Sequence, residues 1–128
     1  MRKLIIVGTL FGFLGVGIFL KQAAAHEDHE HSTGTDVTVK GELIDTFCYL
    51  GMGAKGTSHK QCAIDCAKAG IPAGILEEGT GKIYFLTSNK DKTPLPDFVI
   101  SKMGDTVTIK GDLYSGGGAN LLAVESVE

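Results

Sequence analysis

From residue 36 onward, apolar and polar positions alternate in short runs. Val37, Val39, Gly41 and Leu43 alternate with Thr38, Lys40, Glu42 and Ile44. A period of two predicts a half-buried strand reaching about Phe47, with Cys48 closing it. Residues 49–57 contain Gly51, Gly53 and Gly56, which predicts a loop rather than a regular element. Ser58 and Gln61 have capping-box spacing, so a helix is expected from His59 to about Ala69. Gly70 suits the left-handed position after that helix, Pro72 stops it, and Lys68 complements its dipole.

Further strands are expected over Ala73–Glu77 and Lys82–Thr87, paired as a hairpin across the turn at residues 78–81. Residues 88–96 are polar with two prolines and read as a loop. Asp97–Met103 predicts a short helix ending at Gly104. Thr106–Tyr114 and Leu121–Val127 predict the last two strands, joined through Ser115-Gly116-Gly117-Gly118. Five short strands with one or two short helices predict a mainly β fold. The expected architecture is a small OB-like barrel, since closure removes exposed strand edges. No internal repeat is present.

The chain has 128 residues, but its beginning has a different character. Met1-Arg2-Lys3 precedes an apolar run from Leu4 to Leu20, followed by Lys21-Gln22-Ala23-Ala24-Ala25. A basic start, an apolar stretch and a small-residue triplet are the parts of a cleavable export signal over residues 1–25. The alternative is an uncleaved membrane anchor, for which 17 apolar residues are near the short limit. Either way the domain is expected outside the cytoplasm, periplasmic or secreted. Residues 26–35 follow as a disordered arm carrying His26, His29 and His31 among three acidic residues. This arm is either a loose secondary metal contact or a solvated leader. Residues 36–128 are the folding domain.

Charge narrows the partners. Cleavage after Ala25 removes three of the twelve basic residues, leaving nine against fifteen acidic ones, a net charge of −6. That balance excludes the basic footprint of a nucleic-acid binder. It also leaves no polybasic face for a membrane, so membrane contact is expected only if the N-terminal segment is retained.

Three cysteines in an oxidising compartment cannot all pair within one chain. His59, Cys62 and Cys66 have helical spacings of three and four, so they share one stripe. The glycine-rich loop can bring Cys48 to it. Cys3His is a known zinc set, and thiolates suit Cu(I) equally. Met52 offers a further soft contact. Two other readings stand beside this one. A disulfide from Cys48 to Cys62 or Cys66 would close a loop of roughly 15 residues, worth about 3 kcal/mol. Alternatively, the small Cys and Ala side chains simply pack closely against the sheet. Tyr49 reads as cover for a barrel end, and Ile83, Tyr84, Phe85 and Leu86 read as core.

Taken together, "VTVKGELIDTFCYL", "HKQCAIDCAKAG", "KIYFLTS", "GDTVTIKGDL" and "LLAVESVE" resemble a family of small exported bacterial proteins of mostly unassigned function. The likeness covers about residues 37–127, and the Cys spacing is its most specific part. It implies an OB-type barrel and carries Cys48, His59, Cys62 and Cys66 onto the family's Cys/His positions. Gly51–Thr57 is a longer insert than that pattern has.

The leading expectation is a binding protein rather than an enzyme, holding copper or zinc outside the cytoplasm, with another envelope protein as a second partner. A thiol-redox or electron-transfer protein is the second expectation. A disulfide-stapled interaction module without metal is the third. No Cys-x-x-Cys pair, haem motif, phosphate loop or Ser-His-acid grouping stands out.

Overall fold

A computed structural model describes residues 33–128. The export signal expected over residues 1–25, and His26, His29 and His31 of the arm, lie outside the described residues. In chain order the elements are β1 (Thr35–Asp45), α1 (Thr46–Met52), a single 3-10 turn (Thr57–His59), α2 (Lys60–Lys68), β2 (Ala73–Glu77), β3 (Ile83–Ser88), α3 (Asp97–Ile100), β4 (Thr106–Gly116) and β5 (Ala119–Val127). The five strands close into a barrel in the order β1-β2-β3-β5-β4. This is the mainly β, OB-like barrel that the alternation predicts. All neighbours are antiparallel except β3 and β5, which run parallel. A parallel pair needs a crossover, and α3 with β4 supplies it. Among the described residues no helix is long and apolar enough to cross a membrane.

Closure depends on two glycines. β1 pairs with β4 through Thr35–Glu42 and with β2 through Gly41–Asp45, so it must bend where the partners change. A Cβ at Gly41 would lie 2.2 Å from the Leu76 carbonyl oxygen. On β4, the ladder to β5 shifts register between Lys110 and Gly111. A Cβ at Gly111 would lie 2.1 Å from the Ala123 carbonyl oxygen. Only glycine allows backbones to approach this closely at a barrel bend.

From Val37 onward the odd positions of β1 point inward. Val39 and Leu43 join Ile75, Tyr84, Leu86, Val107, Ile109, Leu122 and Val124 in the core. Ala63 of α2, Ala73 of β2, Val99 of α3 and Met103 complete it. Leu43, Ile75, Ile109 and Leu122 are 0 % exposed, and each such side chain contributes about 1.5–3 kcal/mol by leaving water. Tyr84 and Leu86 are core as expected, while Ile83 and Phe85 are only half-buried.

Local structure departs from expectation around the cysteines. β1 stops at Asp45, and Cys48 lies in the first turn of α1 rather than at a strand end. Thr46–Met52 form a helix where the end of the strand and the start of a glycine-rich loop are expected. The cause is Asp45, which keeps an extended conformation while its Oδ1 accepts the Cys48 amide proton at 2.8 Å. This is an N-cap worth about 0.5–2 kcal/mol, enough to offset the one glycine inside the helix, Gly51, at about 1 kcal/mol. Gly53, with φ +69, ends the helix.

The Ser58–Gln61 capping box does not form. Ser58 sits in the 3-10 turn, His59 takes the N-cap position without a side-chain cap, and Gln61 reaches forward to Asp65 at 3.0 Å. The 3-10 turn instead satisfies the His59 amide through the Gly56 carbonyl at 3.0 Å. The other end of α2 follows the sequence. Gly70 has φ +89, its N–H donates to Ala67 at 3.1 Å, and that of Ile71 donates to Cys66 at 3.0 Å. That double bond is the Schellman ending. α3 is shorter than expected, while β4 and β5 each run two residues further into a turn at Gly117 and Gly118.

Candidate metal centre

The junction between β1 and α1 brings the chemistry together. Along β1 the inward phase runs Val37, Val39, Gly41, Leu43 and then Asp45. Asp45 therefore enters the interior at the strand's last inward position, and its side chain is 0 % exposed. The turn into α1 is fixed on its other side by Thr46, whose N–H and hydroxyl both donate to the Pro72 carbonyl, at 3.0 and 2.8 Å. Cys48 follows in the first turn of α1 and is buried at 5 % exposure. α1 faces outward with Phe47, Leu50 and Met52.

Two donor groups share Cys48. The sulfurs of Cys48, Cys62 and Cys66 lie within 4.8 Å of one another. Donor atoms of Asp45, Cys48 and His59 also lie within 4.8 Å of one another. Each group could hold a metal ion. Sulfurs bound to one tetrahedral zinc at about 2.3 Å lie about 3.8 Å apart, so side-chain adjustments of about an ångström or less bring the three thiols onto one ion. All three cysteines are free thiols, so the disulfide staple does not form. Plain packing also fails to describe Cys62 and Cys66. Ala63, from the same helix, is in the core, whereas Cys62 is exposed and Cys66 half-buried.

His59 leaves the helical stripe that its spacing suggests. It precedes α2, and its Nε2 lies 3.1 Å from Asp45 Oδ2. Both Asp45 oxygens are thus engaged, one by the Cys48 amide and one by the imidazole. Sequence reasoning missed Asp45. The available signal was a carboxylate in the inward phase of a strand, three residues before a cysteine. Met52 is 68 % exposed. Tyr49 is half-buried and lines a cavity of about 510 Å³ with Glu42, Lys55 and Thr80, away from the thiols.

Electrostatics favours protonated thiols when no cation is present. A hydrogen bond to Asp45, together with burial and the carboxylate's charge, pushes the Cys48 thiol up to about 12. Burial, then the Asp45 charge and the neighbouring Cys62, push Cys66 upward too. A positive ion among the sulfurs reverses this balance, because a coordinating thiol is deprotonated.

Fold and site together define a small OB-like barrel carrying a cysteine cluster capable of binding a metal. No protein-family model, curated protein or solved structure matches the chain. Its function therefore has to be argued from these residues.

Proposed function

We propose that this is an exported, non-enzymatic protein that holds a soft metal ion, Cu(I) or Zn(II), through Cys48, Cys62 and Cys66, with His59 as fourth donor. The observation that carries the reading is the meeting of three free thiols from two helices within 4.8 Å. Soft thiolates select Cu(I) and Zn(II) over hard cations. The leader pattern of residues 1–25 supports export, and the likeness to small exported Cys/His proteins belongs to the same reading.

The ion is cargo rather than a staple. The main core cluster contains none of the three cysteines. Burial decreases from Cys48 through Cys66 to the exposed Cys62, which gives an incoming thiol a route to the ion at Cys62. At Cys48 and Cys66 a thiol-redox role fits less well, because both thiols are pushed up, away from the reactive thiolate.

The test is anaerobic isolation from the producing cell's envelope, with metal and thiols counted per chain. One copper or zinc per chain with three free thiols is expected. Metal-free protein with Cys48 oxidised to a helix cysteine would end the reading.

A further inference from the structure

The buried carboxylate of the second donor group has no place in a simple three-sulfur site. Asp45 is the most enclosed charged side chain near the thiols, and both its oxygens are committed inside the fold. Oδ1 accepts from the Cys48 N–H at 2.8 Å, and Oδ2 meets His59 Nε2 at 3.1 Å. Burying a carboxylate is costly unless it is paired. Its position is therefore over-determined by these partners. It ties together the end of β1, the first turn of α1 and the 3-10 turn before α2.

We propose that Asp45 is the positioning residue of the metal centre. It fixes Cys48 through the backbone and His59 through the ring, and it is not itself a ligand. One observation and two chemical arguments carry this. The carboxylate's oxygens are already used by the two residues it would position. A hard carboxylate is a poor match for an ion chosen by three thiols. Carboxylates hydrogen-bonded to ligating imidazoles are the usual outer support of such sites, and losing one typically costs about 10–100-fold in metal affinity. The affinity part of the inference rests on the metal-binding reading, whereas the positioning part stands without metal.

The experiment uses Asp45→Asn, His59→Ala and the double variant, each expressed from the full-length chain. Asn keeps an oxygen for the Cys48 amide, so α1 keeps its cap and the barrel folds. In metal-free protein, NMR is expected to show the His59 ring nitrogen signals of wild type displaced in D45N. Unchanged ring signals would overturn the positioning claim, whatever the protein binds. With Co(II) as probe, D45N is expected to bind about 10–100-fold more weakly, with the wild-type thiolate charge-transfer bands retained. The double variant is expected to bind no more weakly than the weaker single variant, because Asp45 acts through His59. Losses that add independently, or d–d bands in D45N that report a lost oxygen ligand, would overturn the proposal. Wild type that binds neither Co(II), Zn(II) nor Cu(I) would instead sink the metal reading, leaving the NMR result to decide the role of Asp45.

Discussion

Replacing Cys48 by Ala should change how metal affinity depends on pH, more tellingly than it changes affinity at any one pH. In the metal-free protein Cys48 keeps its proton up to about 12, and Cys66 is shifted upward as well. Below about pH 9, the ordinary thiol value, both are therefore protonated, and each must release a proton to ligate as thiolate. These two groups alone make affinity rise about hundredfold per pH unit, since each released proton contributes a factor of about ten. In C48A one of those protons is gone, and the steepness falls to about tenfold per unit. Any contribution from Cys62 adds equally to both proteins. The substitution leaves the fold intact. Cys48 is buried beside the main core cluster rather than within it, and C48A retains the backbone N–H that donates to Asp45. Removing one small sulfur at the edge of the core leaves only a minor packing defect. The assay is anaerobic competition against a chelator of known protonation between about pH 6 and about pH 8, with proton release followed by an indicator dye. Equal pH slopes for C48A and wild type would refute the assignment of Cys48 as a thiolate ligand.

Stability of the metal-free protein provides a second check on the same thiol. The folded value of about 12 lies above the ordinary 9.0, so the folded state holds the proton more tightly. The contribution is full below about pH 9 and is lost as pH rises from there towards about 12. Denaturant titrations should therefore show wild type losing more stability than C48A across that window, and parallel losses would contradict it. Native alkylation followed by mass spectrometry should label exposed Cys62 first and buried Cys48 last, with bound Zn(II) protecting all three. Labelling of Cys48 first would invert the proposed route to the ion. For the barrel itself, Gly111→Ala places a methyl 2.1 Å from the Ala123 carbonyl oxygen. Urea unfolding should register a loss of at least about 2 kcal/mol, and wild-type stability would argue against the tight β4–β5 bend.

The sequence by itself determined the barrel and half of the centre. Period-two alternation marks strands because successive side chains leave a strand on opposite faces, a purely local property. Gly70 and Pro72 likewise end α2 through backbone geometry alone. The spacing of Cys62 and Cys66 places them on one helix face wherever that helix packs. Tertiary structure decided the rest. Whether Asp45 ends a strand and caps a helix, or continues inward as a buried polar residue, depends on β1 exchanging partners at Gly41 and on Pro72 holding Thr46. That choice lifts Cys48 off the strand and onto α1. It also draws His59 out of the helical stripe towards a carboxylate fourteen residues earlier, a contact no local period encodes. The physical reason is that a buried charge must find its partner in space, and the closed barrel sets which groups are within reach.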